Sequence, residues 1–357
     1  MKKIVLLLLF LSSLSVPVGA EELPSLYRGG RPLGMGNAFT AVSNDAHAIF
    51  YNPAGIPSRR SFSVLNPLFE VSEGSIDFVK DLKNLQGGSS NDAADFLSGR
   101  IGEHYHLASQ LFPYLLRPSF QMGILARVNM DMEARNPVFP EVSTNVYYDA
   151  GLVIGAAHDF GRGLSSGAAI KYIRREGVVR KYTANDIVNN DFDPLDDLES
   201  ASDFAIDLGG LAHLSEWTTA GSKIRRWDPT FGLVVQNITD LDFKTVGVMP
   251  MQVNAGIAIH PAFWSVPATI ALDVKDIGKS VGPDDDMGKR TDFGMELQFK
   301  RWLSSVRLGV HQGYFSAGMT ARLWILNVDI ATYAEELGVT FRQRENRRTV
   351  VQLSGGF

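Results

Sequence analysis

Charged and polar side chains recur in this chain at alternate positions of long extended segments. Arg127, Asp149, Lys171, Asp207, Asp273, Lys275, Glu296, Lys300, Arg307, His311, Arg322 and Asp329 all fall on the polar face of such segments. Both signs are mixed, which suits an ion-paired interior better than an ion-selective pore. The seven histidines are dispersed; His104 and His106 share one face of a strand, but no further ligands complete a metal set. The acidic stretch Asp191, Asp193, Asp196, Asp197, Glu199 and the run Asp284-Asp285-Asp286 read as solvated external loops, able to meet divalent cations among lipopolysaccharide headgroups; the first lacks the glycine and spacing of a calcium loop. No Gly-x-Ser-x-Gly elbow or Ser/His/Asp set is present, so catalysis is not expected. With no cysteine there are no thiolate ligands or disulfides, and nothing calls for a cofactor.

The segments that must position these residues are strands. Between Asn145 and Asp159, Val146, Tyr148, Ala150, Leu152, Ile154 and Ala156 share one face, opposite Asn145, Tyr147, Asp149, Gly151 and Gly155. Val153 is the apolar exception on the polar face. The same period recurs from about His104 to the end of the chain, for example in Phe120–Val128, Phe293–Phe299 and Ala317–Leu323. A soluble sandwich would bury the apolar face; a membrane barrel would turn it to lipid. Segment length decides for the barrel, because runs of about ten residues match a tilted membrane-crossing strand and ordinary strands are half that.

Long connections near 72–103, 132–143, 182–202, 240–250, 277–291 and 334–347 alternate with turn-sized ones, as external loops alternate with periplasmic turns. Ser215–Asp228 and the short link at Gln312-Gly313 break that rule. Arg60–Val71 reads as the first strand, followed by a helical insert with Ile76, Val79, Leu82 and Leu85 at helical spacing, resumed by Phe96, Leu97 and Ile101. The expectation is an all-β, outer-membrane antiparallel β-barrel of about 14 strands. No apolar run of about eighteen residues follows the N-terminal segment, so no transmembrane helix is expected there.

The first residues explain how such a chain would reach that membrane. Lys2 and Lys3, the apolar run Ile4–Leu14 and Val18-Gly19-Ala20 have the order of a cleavable export signal, with a mature chain from Glu21. Net charge is -5 with no long basic run, which argues against nucleic acid. The expected location is the outer membrane of a Gram-negative bacterium, with outer-membrane lipid and lipopolysaccharide as surroundings. Val351, Leu353 and Phe357 in the last strand resemble the signal read by the barrel-assembly machinery.

One stretch is not strand-like. Leu33-Gly34-Met35-Gly36-Asn37-Ala38-Phe39, Asn44-Asp45-Ala46 and Asn52-Pro53-Ala54-Gly55 are too rich in glycine and alanine to build a core. A fourteen-stranded barrel has a lumen its own side chains cannot fill, and this segment suits a plug within it. The division expected is 1–20 signal, 21–59 luminal hatch and 60–357 barrel, with 72–103 as a helical external loop.

These three motifs resemble the hatch of FadL-type outer-membrane transporters. Gly-Met-Gly, Tyr-Asn-Pro-Ala-Gly and the C-terminal run with Asn327-Val328-Asp329, Tyr333–Gly338 and Gln343-Arg344-Glu345 look closer to the PorV-like and conjugal-transfer-TraF-like branch. The resemblance implies gating by Gly34, Gly36, Asp45, Asn52, Pro53, Ala54 and Gly55. It implies a passive conduit for hydrophobic or amphipathic molecules such as long-chain fatty acids, leaving through a lateral opening. The PorV-like branch implies instead a platform or shuttle for an exported protein partner.

Overall fold

The computed structural model describes residues 22–356 except 194, 196, 197, 220, 221, 282–285 and 325. The export signal, Asp196, Asp197, Asp284, Asp285 and Phe357 therefore lie outside the described residues.

The period-two segments are strands of one closed wall. β1 comprises Ser61–Leu65 and Leu68–Ser72, and β2 comprises His104–Leu111 and Tyr114–Arg117. There follow β3 (Phe120–Arg135), β4 (Glu141–Gly161), β5 (Leu164–Thr183), β6 (Glu199–His213) and β7 (Thr230–Gln236). Then come β8 (Gln252–Ile259), β9 (Val266–Val274), β10 (Thr291–Gln298), β11 (Leu303–His311), β12 (Tyr314–Leu323), β13 (Leu326–Glu336) and β14 (Glu345–Gly356). Each pairs antiparallel with its sequence neighbours, and β14 returns to β1 with Gln352 opposite Leu68 and Arg348 opposite Ser72. The result is a closed barrel of 14 strands, which leaves no free sheet edge for lipid to desolvate.

Alternation sets the two surfaces. On β4, Asp149 and Val153 are buried in the lumen while Leu152 and Ile154 are 40% and 36% exposed on the outside. Ile170, Phe204, Phe231, Leu272, Phe293, Leu308 and Phe315 continue the exposed apolar band. The end carrying the short turns, periplasmic by the barrel rule, also carries all five tryptophans. They lie at Trp217, Trp227, Trp264, Trp302 and Trp324, with Trp264 and Trp324 98% and 94% exposed. Tryptophan there matches the membrane–water interface, where an apolar ring with one donor is favoured. In the β8–β9 turn, burial holds the His260 imidazole below its ordinary pKa, and it lies within hydrogen-bonding reach of Thr230 and Thr269.

Three expectations about elements change. β3, β4 and β5 span 16, 21 and 20 residues, so the loop expected at 132–143 shrinks to 136–140. The loop expected at 182–202 likewise gives up its ends to β5 and β6. The strand tops rise beyond the lipid, and there the outward face is buried: Met132, Val142 and Tyr182 pack against Phe78, Leu82, Leu97 and Ile187. Those residues come from α3 (Ser75–Asn84), α4 (Ser90–Ser98) and α5 (Ala184–Val188). The helical insert is thus a collar outside the wall, and Val146, expected on the lipid face, is fully buried as well. Finally, the first strand is not one piece. It breaks at Asn66-Pro67, beside a second break at Phe112-Pro113 in β2.

Candidate functional site: a luminal hatch and a break in the wall

The segment before β1 lies inside the barrel. Its short helices are α1 (Gly30–Gly34) and α2 (Ala48–Tyr51), followed by a 3-10 turn at Pro53–Gly55. Met35, Ala38, Phe39, Ala48 and Ile49 are wholly buried. Apolar burial of that kind is worth roughly 1.5–3 kcal/mol for each large side chain.

Wall glycines make room for it. A Cβ on Gly209 would stand 2.1 Å from Asn52 Oδ1, and one on Gly167 would stand 2.3 Å from the Pro53 backbone. On the opposite side, Gly294 and Gly309 meet Met35, while Gly318 meets Gly34. Gly232 and Gly256 face Thr40 and Ala41. On β9, between two glycine-bearing neighbours, Asp273 replaces the glycine: its Oδ2 accepts from Phe39 N at 2.8 Å and Thr40 N at 2.7 Å.

Each proposed gating residue has a definite place. Asn52 is fully buried; its Nδ2 donates to Thr40 O at 2.9 Å and Gly210 O at 3.1 Å, and its Oδ1 accepts from Ala54 N at 3.2 Å. Pro53 and Ala54 lie against Gly167 and Gly209 of β5 and β6. Gly55 passes so near Ser43 O that no side chain fits, and Gly36 has φ +60 where a Cβ would strike the Phe293 carbonyl. Asp45 accepts from Arg31 Nη1 at 2.7 Å and from His47 N at 2.9 Å.

The lumen charges are paired, and several pairs tie wall to hatch. Arg31 reaches Glu296 at 2.7 Å, and Glu296 also binds Arg307 at 2.7 Å, which meets Asp329 at 3.1 Å. Arg175 grips Asp149 through two bonds of 2.7 and 2.8 Å, Lys171 meets Asp207 at 2.8 Å, and Lys275 meets Asp273 at 3.0 Å. Arg127 Nη1 donates to Ser25 O at 2.5 Å. His311 bridges Asp292 at 2.7 Å and Glu335 at 3.3 Å. Arg322 and Lys300 differ: both are exposed at the turn end, Arg322 at the rim of the lower vestibule. Val351 and Leu353 face outward and are half-buried.

Sequence reasoning missed the upper anchor and the wall break. Arg28 binds Glu70 at 2.5 Å and Glu335 at 3.1 Å, and its Nη1 donates to Tyr333 OH at 2.6 Å. Arg348 binds Glu22 at 2.6 Å and Glu70 at 3.3 Å, and His106 Nδ1 pairs with Asp131 at 2.6 Å. His104 and His106 therefore join an ion-pair network. At the break, Pro67 and Pro113 have no N–H for the ladder, and Asn66 substitutes for it. Its Oδ1 accepts from Phe112 N at 2.8 Å while its Nδ2 donates to Phe112 O. Phe112 turns inward onto the hatch, 4.8 Å from the Phe50 ring and 5.8 Å from Tyr27, which stack on each other at 4.1 Å. The prolines in the middle of apolar runs were the available signal.

Two spaces adjoin this cluster, and a third lies beyond them. An external vestibule of about 510 Å³ includes Pro24, Tyr147, Val246, Val248 and Met249. A central cavity of about 90 Å³ shares Pro24 and Met249 with it and includes Tyr27, Phe50 and Tyr51. A lower vestibule of about 490 Å³ shares Tyr27 with the central cavity and reaches Asn66 and Tyr114 at the break. Tyr27, held by His47 Nδ1 at 2.7 Å, divides the last two spaces.

No family model matches the chain, and no curated protein sequence matches it. Solved structures do match in fold. The Ralstonia pickettii toluene transporter TbuX has a TM-score of 0.52 at 12% identity, over 94% of this chain and 99% of that one. The CymD monoaromatic hydrocarbon channel has a TM-score of 0.53 at 10% identity, over 92% of this chain and 96% of that one. The shared architecture is that of the FadL-like barrels, fourteen antiparallel strands closed into one wall.

Proposed function

We propose that this chain is a passive outer-membrane transporter for hydrophobic or amphipathic small molecules, with the segment inside the lumen as its hatch. The observation that carries the reading is the coincidence of two strand breaks, at Asn66-Pro67 and Phe112-Pro113, with the hatch aromatics Tyr27 and Phe50. A sheet patched by one side chain is a place where a wall can part. The fold likeness to a toluene transporter and a monoaromatic hydrocarbon channel supports the substrate class. The central cavity, at about 90 Å³, is smaller than the roughly 150 Å³ apolar cavity that accepts benzene. Passage therefore requires Tyr27 or Phe50 to move, compact aromatic molecules need the least movement, and long-chain fatty acids need more.

The test is partition into proteoliposomes of toluene-class and long-chain fatty-acid probes, read by a reporter trapped inside. Faster arrival than in protein-free vesicles is expected for at least one class, and rates equal to the blank for both would sink the reading. The tight fit of hatch to glycine-lined wall favours a second reading, a solidly plugged PorV-like platform for an exported protein. That reading expects blank rates together with a stoichiometric partner in outer-membrane pull-downs.

A further inference from the structure

The turn end of the barrel is basic as well as aromatic. Arg225 and Arg226 are exposed beside Trp227 at the end of α6 (Lys223–Trp227), in the only long connection on this side among the described residues. Lys300 and Arg301 precede Trp302 in the β10–β11 turn, and both are exposed. Arg162 is exposed in the β4–β5 turn. Among the described residues none of these five cations meets a carboxylate. The nearby anions are Glu216 and Asp159, both exposed, the latter accepting from Gly161 N at 2.8 Å, and Asp228, which already accepts from Ser215 Oγ and lies 3.8 Å from His213.

The long connection is a built platform. Trp217 Nε1 donates to Arg162 O at 2.6 Å, joining it to the β4–β5 turn. His260 N donates to Trp227 O at 2.6 Å, joining it to the β8–β9 turn with its exposed Trp264. Leu214 N donates to Pro229 O at 2.9 Å and closes its base, and Ser222 Oγ caps α6. The arginines are thus held at a fixed height, level with the tryptophans and directly below the outward apolar residues Phe231 and Leu233.

We propose that this end of the barrel is a binding surface for anionic phospholipid headgroups of the leaflet that surrounds the turns. Lipid is the occupant indicated because the basic groups continue the lipid-facing band without interruption. All five tryptophans are more than half exposed, Trp264 and Trp324 nearly bare, and water is an unfavourable partner for their rings. Guanidinium groups at that level pair with headgroup phosphates through parallel donors. An acidic periplasmic protein would need only the charge; it would leave the ring of tryptophans unexplained.

The test uses purified full-length protein in mild detergent, exchanged against an equimolar mixture of phosphatidylglycerol and phosphatidylethanolamine, with retained lipid counted by native mass spectrometry. Wild type should retain phosphatidylglycerol in preference, and the preference should fall with added salt. A surface cation contributes about fivefold, so Arg225→Gln with Arg226→Gln and Arg301→Gln should reduce the preference to near parity. Arg135→Gln, at the opposite end, should leave it intact, and heat-modifiable gel mobility checks that each variant is folded. Equal retention of both lipids by wild type, or an unchanged preference in the triple variant, overturns the proposal. So does a triple variant that keeps its lipid preference but loses binding to an acidic protein.

Discussion

Asn66 shows how much one side chain can carry. Its amide stands in for two ladder bonds at Phe112, where the adjacent prolines offer none. Asn66→Ala leaves a backbone N–H and a C=O unpaired in the wall, at a cost of about 2 kcal/mol or more. Probe arrival in proteoliposomes should rise severalfold if the wall parts here, whereas Phe62→Ala, on the lipid face of the same strand, should leave it unchanged. Adjacent glycines supply a sharper comparison. Gly209→Val drives a side chain into Asn52, while Gly210, whose Cβ would meet nothing nearer than Ser165 O at 4.0 Å, tolerates alanine. Planar-bilayer recordings should show ion leakage for Gly209→Val and none for Gly210→Ala.

At the scale of elements, the hatch is held by charge at both ends and by packing in the middle. Arg31 joins α1 to Glu296 of β10 and to Asp45 within the hatch. Removing one partner of a buried pair costs about 3–5 kcal/mol, and here the low end applies because Glu296 keeps Arg307. Arg31→Ala should therefore raise hydrogen exchange in residues 30–46 while β10 to β12 remain protected. The strands themselves were legible, because lipid on one side and a packed lumen on the other impose a strict period of two. What was not legible is where that logic stops. Val142 and Met132 keep the alternation, yet the collar of α3, α4 and α5 covers them, and nothing local distinguishes a residue facing lipid from one facing a helix. The polar-face glycines were visible too. Their meaning, room for a plug backbone, appears only when Gly167 meets Pro53 and Gly309 meets Met35. Pro67 and Pro113 were overlooked as breaks because each interrupts an otherwise continuous apolar run.

For the molecule as a whole, the proposed conduit through three successive spaces implies movement down a concentration gradient. Probe uptake by proteoliposomes should reach the same rate with and without a protonophore, and reversing the gradient should reverse the flux. A rate that collapses on adding the protonophore would require a coupled mechanism that the paired lumen charges do not suggest. The ligand's identity could not be read from the sequence, since the lining residues come from hatch, strands and loops that meet only in the folded barrel.

The broken strands are also the first two, and β1 is the strand against which β14 closes the cylinder. The hatch precedes β1 in the chain and begins at Glu22 in the external vestibule, paired with Arg348 of β14. It is therefore gripped by the last strand to be made. The anchoring of the plug is therefore complete only once β14 is in place. Assembly and transport then share one weak line: the join that seals last during biogenesis is the one flanked by the patched wall.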